Sequence, residues 1–193
     1  MKEKLTGKDL INVGIFSAIY FVIVFAAAML GMIPFLYPML AVVVPLVGGI
    51  VFMLFLTKVK KFGMLWIMSV LMGILMLLVG MGYYALMIGI VTGLLAELIY
   101  RSGNYASAAM GVLTHAVFSL WVFGNYLLFY LNHDSFMATR EEMMGKEFVD
   151  TLNRLLPPWT WIVLLAVCFI CGLLGGAFGS KLLKKHLRKA GIA

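Results

Sequence analysis

Charged residues in this chain gather in short clusters separated by long apolar stretches, an alternation that predicts membrane-spanning helices. A helix rises about 1.5 Å per residue, so about 20 apolar residues cross a hydrocarbon core roughly 30 Å thick. Six stretches fit. The first covers about 10–30, before a turn-rich link from Gly31 to Tyr37. The second, about 38–56, stops at Lys58, Lys60 and Lys61. From Phe62 to Tyr100, 39 residues carry one charge, Glu97, and the break at Gly80-Met81-Gly82 divides them into spans of about 62–80 and 83–100. A fifth span, about 106–131, follows the polar turn Arg101-Ser102-Gly103-Asn104. The sixth, about 158–183, opens at Pro157-Pro158, where proline is tolerated in a first helical turn.

Asn132 to Leu156 is the one long polar loop. Within it, Thr139 and Glu142 have capping-box spacing, and Met144, Phe148, Leu152 and Leu155 recur at helical intervals, which predicts an amphipathic helix over about 139–156. Such a helix rests in the headgroup layer or folds over a pocket as a lid, and the pattern fits both. Five acidic residues against three basic ones give the loop no hint of an anionic ligand.

Composition agrees with a polytopic, all-α membrane protein: 64% of residues are hydrophobic, 12% are charged, and the mean hydropathy is +1.06. Threading six spans with both termini in the cytoplasm places twelve of the fifteen Lys and Arg inside: Lys2, Lys4, Lys8, Lys58, Lys60, Lys61, Arg101, Lys181, Lys184, Lys185, Arg188 and Lys189. Arg140, Lys146 and Arg154 fall outside, as the positive-inside rule requires. The net charge of +7 is then topogenic and lipid-facing, and needs no nucleic-acid partner. The first stretch is longer than the apolar core of a cleaved signal peptide and is expected to remain as a helix. Residues 1–193 read as a single integral membrane domain, without internal repeats. Cys168 and Cys171 sit deep in the sixth span and read as small apolar filler despite their CxxC spacing.

Small residues four apart allow close helix contact in lipid. They occur as Gly14 and Ala18, as Ala85, Gly89 and Gly93, and as the pairs Gly172 with Gly176 and Gly175 with Gly179. Most such faces pack inside a bundle. The Gly14 pair and both sixth-span pairs lie in the cytoplasmic halves, where they would also suit docking to another membrane protein. Among polar residues at membrane depth, Glu97 is expected to snorkel or pair with Arg101, and His115 to make an interhelical hydrogen bond. Toward the outer side gather Tyr83, Tyr84, Trp121, Asn125, Tyr126, Trp159 and Trp161, with Asn132 and His133 at the loop mouth. An interfacial aromatic belt accounts for part of this group. Trp121 and Asn125 lie deeper, and a binding site open to the outside is the sharper reading.

An enzyme is not expected. Glu141-Glu142 with Lys146, and Phe129 with His133, resemble motifs of intramembrane prenyl-protein proteases, but in reversed order, with lysine for arginine and in a polar loop. No G-x-x-x-x-G-K-[ST] loop is present to cradle ATP, so energy must come from a partner or an ion gradient.

A chain of this length with six spans, a Pro-rich first loop and a basic lead into Lys8-Asp9-Leu10-Ile11-Asn12-Val13-Gly14-Ile15-Phe16-Ser17-Ala18 resembles the substrate-binding S components of energy-coupling factor (ECF) transporters. In detail it resembles the Trep_Strep family, along its whole length. The resemblance implies an S-component-like bundle in the bacterial plasma membrane. It implies partners, namely a transmembrane scaffold subunit and two cytoplasmic ATPases, and a toppling motion that carries ligand inward. Gly14 and Ala18 stand where the wider group has an AxxxA scaffold-docking motif, with glycine for the first alanine. It implies capture at the outer ends of helices 4 to 6 and by the loops after helices 1, 3 and 5. The cargo would be a vitamin-like compound or haem, for which His133, the tryptophans and the fifteen methionines are suited. Nickel or cobalt is not implied, because the chain begins Met1-Lys2-Glu3, without the N-terminal histidine of such carriers. The rival reading is a stand-alone channel or ion-coupled permease using Glu97 or His115.

Overall fold

A computed structural model describes residues 4–189, the last four by backbone only. The start Met1-Lys2-Glu3 and the side chains of Arg188 and Lys189, used in the topology argument above, lie outside the described residues. The chain is all-helical, 84% helix, with no strand among the described residues.

Helix α1 (Gly7–Ala28) begins at a capping box that sequence inspection missed: the Thr6 hydroxyl accepts from the Asp9 N–H, and the Asp9 carboxylate accepts from the Thr6 N–H at 2.8 Å. Lys61 also reaches that carboxylate, at 3.0 Å, and clasps the start of α1 to the following helical hairpin. Two short 3₁₀ turns, Met29–Met32 and Pro34–Leu36, link α1 to α2 (Leu40–Leu56). Then come α3 (Met64–Leu78), α4 (Tyr84–Ser102), α5 (Ala108–Phe118), a 3₁₀ segment Ser119–Phe123, and α6 (Gly124–Leu131). The polar loop forms α7 (His133–Met144) and α8 (Lys146–Leu155), and α9 (Thr160–Lys189) closes the chain.

Among the described residues, four segments are long and apolar enough to cross a membrane: Gly7–Met32, α4, Ala108–Leu131 and Thr160–Lys185. Helices α2 and α3 are apolar but have 17 and 15 residues, roughly 25 and 22 Å of helix.

Close contact is made by glycine. A Cβ on Gly175 would overlap the Pro45 carbonyl of α2, and one on Gly179 the Gly49 carbonyl, so α9 and α2 meet backbone to backbone. Gly172 and Gly176 play the same part against Ala116 and Val112 of α5. On α4, Gly89 and Gly93 receive Ser69 of α3, whose hydroxyl donates to the Gly89 carbonyl at 2.6 Å. Both small faces of α9 are thus consumed inside the bundle, and the expectation that they also serve external docking is corrected. Gly14 differs: a Cβ there would meet nothing within 4 Å, and Ala18 is exposed on the same side.

Glu97 does not pair with Arg101. It is fully buried and accepts hydrogen bonds from the Leu65 N–H at 2.9 Å, the Trp66 N–H at 3.3 Å and the Tyr105 hydroxyl at 3.1 Å. The carboxylate therefore caps α3 from a neighbouring helix, where the unsatisfied amides and the helix dipole favour negative charge. Arg101 instead sits over the Phe62 ring, 5.6 Å from its centroid. His115 behaves as expected, its Nδ1–H donating to the Gly172 carbonyl of α9 at 2.7 Å. Cys168 and Cys171 are free and buried.

Glu97→Leu would strand the buried Leu65 amide, the partly buried Trp66 amide and the Tyr105 hydroxyl, and is expected to destabilise the protein by about 1–3 kcal/mol. Glu97→Gln, which keeps an acceptor, is expected to cost less, and thermal unfolding of the detergent-purified variants checks the order.

Candidate functional site

At the end of the bundle capped by α7 and α8 lies a cavity of about 490 Å³, within the range typical of small-molecule sites. Several elements build it. The last turn of α1 and the 3₁₀ turn after it supply Val24, Ala28 and Met29. The first loop and α2 supply Tyr37 and Leu40, and the truncated end of α3 supplies Met76 and Val79. The 3₁₀ segment and α6 contribute Trp121, Asn125 and Tyr126, while α7 contributes Ser135, Phe136, Thr139 and Arg140. Six methionines line it, at 29, 32, 76, 81, 143 and 144. Their flexible thioethers adapt to a ligand's shape.

The break between α5 and α6 shapes this wall. The Ser119 hydroxyl donates to the His115 carbonyl at 2.8 Å, a back-bond that bends helices, and Gly124 nests against Ala85 of α4. The sequence reads this region as one continuous span, and the 3₁₀ winding shifts the facing of Trp121 and Asn125 by a fraction of a turn.

Of the eight residues singled out as ligand-binding, three line the cavity. Trp121 is buried, and its indole N–H lies against the Tyr20 hydroxyl without reaching hydrogen-bond geometry. Asn125 donates from Nδ2 to the Val122 carbonyl at 3.1 Å, which leaves its buried Oδ1 without a partner. Tyr126 donates to the Tyr37 carbonyl at 3.0 Å and meets the Tyr37 ring edge-on at 5.4 Å, pinning the first loop to α6. The other five do not line it. Tyr83, Trp159 and Trp161 are 47%, 64% and 44% exposed, the placement of an interfacial belt. Tyr84 donates to Asn132 at 3.2 Å. His133 bonds Asn153 at 2.9 Å and meets Phe129 edge-on, so it joins α7 to α8 and leaves the methionines as the soft ligands facing the cavity.

The polar loop forms two helices rather than one. Gly145 breaks it at φ +86°, ψ 165°, a conformation reserved for glycine. Thr139 lies inside α7, its hydroxyl bonding the Ser135 carbonyl, so the expected capping box does not form. Helix α8 buries Phe148, Val149 and Leu152 and packs on the second 3₁₀ turn, while α7 walls the cavity.

Arg140 is the only charged side chain among the lining residues. Its guanidinium lies 5.2 Å from the centroid of the Phe136 ring, and the Tyr37 phenol is close enough to feel its charge. Burial pushes that phenol up to about 12, so Tyr37 stays neutral at physiological pH. The loop's acidic residues, Asp134, Glu141, Glu142, Glu147 and Asp150, are exposed and line no part of the cavity.

The sequence profile of a family of hypothetical bacterial integral membrane proteins, Trep_Strep, matches residues 7–189. The chain belongs to that family. No curated protein and no solved structure matches it. Membership in Trep_Strep, with several apolar helices, makes this a multi-pass membrane protein of bacterial type. The Trep_Strep profile covers every element that builds the cavity.

If the cavity holds the ligand, Asn125→Ala is expected to lower ligand retention by about tenfold, the loss of one well-placed buried hydrogen bond. Trp159→Ala and Tyr83→Ala are expected to leave retention unchanged. Mass spectrometry of small molecules carried through purification reads all three.

Proposed function

We propose that this protein is the substrate-binding S component of an ECF-type ABC importer in the bacterial plasma membrane. All six apolar helices span the bilayer, the two short ones included, with both termini in the cytoplasm and the α7–α8 end outside. The cavity captures a small molecule, a vitamin-like compound or a porphyrin such as haem. A transmembrane scaffold subunit and two cytoplasmic ATPases complete the importer, and ATP hydrolysis belongs to those partners, not to this chain.

The observation that carries this reading is the division of the bundle into two unlike ends. One end holds a small-molecule cavity and the acidic loop. The other holds Lys4, Lys8, Lys58, Lys60, Lys61, Arg101, Lys181, Lys184 and Lys185, on the segments that the positive-inside rule assigns to the cytoplasm. Near that basic end, Gly14 and Ala18 are the small pair that no helix of the bundle covers, which suits a close-packed partner. A stand-alone ion-coupled permease finds less support, because the two polar groups it would use are engaged: Glu97 caps α3 and His115 is tied to Gly172.

Gly14→Leu and Ala18→Leu add bulk where the bundle has space, so folding and ligand retention are expected to persist. Co-purification with a scaffold subunit and ATP-dependent uptake are expected to fall to background. Gly175→Leu, by contrast, is expected to unfold the protein, since overpacking a tight contact costs about 1–3 kcal/mol or more. Uptake that survives both α1 substitutions would sink the proposal, as would transport by the purified chain in vesicles without ATPases.

A further inference from the structure

We propose that the molecule held in the cavity is an amphipathic anion: an apolar body with one acidic group that pairs with Arg140. The inference rests on the capture reading above and adds the chemistry of the cargo. Arg140 lines the cavity, is half-buried, and has no carboxylate beside it among the lining residues. The Tyr37 phenol in the same wall is neutral and supplies no counter-charge. A partly buried guanidinium without an anion is costly, and the planar fork suits a carboxylate, sulfonate or phosphate. Its position over Phe136 holds it at the wall while leaving its N–H donors available.

The rest of the wall fixes the other half of the ligand. The methionines and Phe136 offer an apolar, adaptable surface. The unpartnered Oδ1 of Asn125 accepts one hydrogen bond from a donor on the ligand, away from the acid. The loop's net negative charge argues the opposite at first sight. All five of its carboxylates are exposed and none lines the cavity, however, and screened exposed charges act weakly on a group inside it.

The test uses two radiolabelled probes with the same ring system, 2-naphthoate and the neutral 2-naphthamide, on the full chain in lipid-free dodecyl maltoside. The wild type is expected to bind the acid about tenfold more tightly than the amide, the effect of one charge-assisted hydrogen bond. Arg140→Gln is expected to erase the preference by weakening only the acid, and Arg140→Lys to keep part of it. Equal binding of both probes by the wild type, or a preference that survives in Arg140→Gln, overturns the proposal and leaves the capture reading standing. Failure of the folded wild type to bind either probe overturns both. Displacement of the acid by phosphatidylglycerol as readily as by unlabelled naphthoate would assign the guanidinium to a lipid headgroup and likewise overturn it. Should Arg140→Gln fail to fold, Arg140→Lys gives the same reading: a preference reduced in the lysine variant supports the assignment, and an unchanged one overturns it.

Discussion

The bundle depends on backbone meeting backbone where α2 crosses α9. In hydrocarbon, helices gain nothing by hiding apolar side chains from lipid, so association must come from close packing and from hydrogen bonds. Gly175 and Gly179 bring α9 onto the carbonyls of Pro45 and Gly49 with no side chain between them. Gly172 and Gly176 bring the same helix onto α5. Helix α9 is therefore a spine on which two others are set at fixed height. That placement also sets the cavity wall, to which α2 gives Leu40 and Val44.

Polar residues within the bundle serve the same end. Glu97 and His115 each satisfy backbone groups on another helix, α3 in one case and α9 in the other. Ser69 and Ser119 do so with single hydroxyls. Among the described residues, buried polar groups left without partners are few, and two of them, on Trp121 and Asn125, belong to residues of the cavity wall. Since native structures satisfy nearly all such groups, an unpartnered amide oxygen beside a cavity marks where a ligand or water completes the set.

Hydropathy is a property of chain position alone, and for that reason the apolar helices were legible in the sequence, with ends close to those observed. What depends on helix phase or on distant partners was not. Small residues at Gly14, Gly172 and Gly175 look alike in sequence, and only packing separates the open one from the consumed ones. Glu97 finds its backbone partners 31 and 32 residues back along the chain, whereas Arg101 stands one turn away and is not used. In sequence Arg140 is one charge among eight in its loop, and its place in the wall follows only from the face of α7 that lines the cavity. Gly145 was a readable signal: a glycine between two helical patterns is where a chain reverses. Thr6 with Asp9 is another, spaced for the capping box that starts α1.

The first loop is gripped from two directions, by the Tyr126 hydroxyl on its carbonyl at Tyr37 and by the apolar face of α8 on its second 3₁₀ turn. Through the His133–Asn153 bond, α8 is fastened in turn to the helix that walls the cavity. Loop, α8 and α7 thus form one clasp. Because the three are tied in series, slack introduced at Asn153, which does not line the cavity, would still loosen its wall.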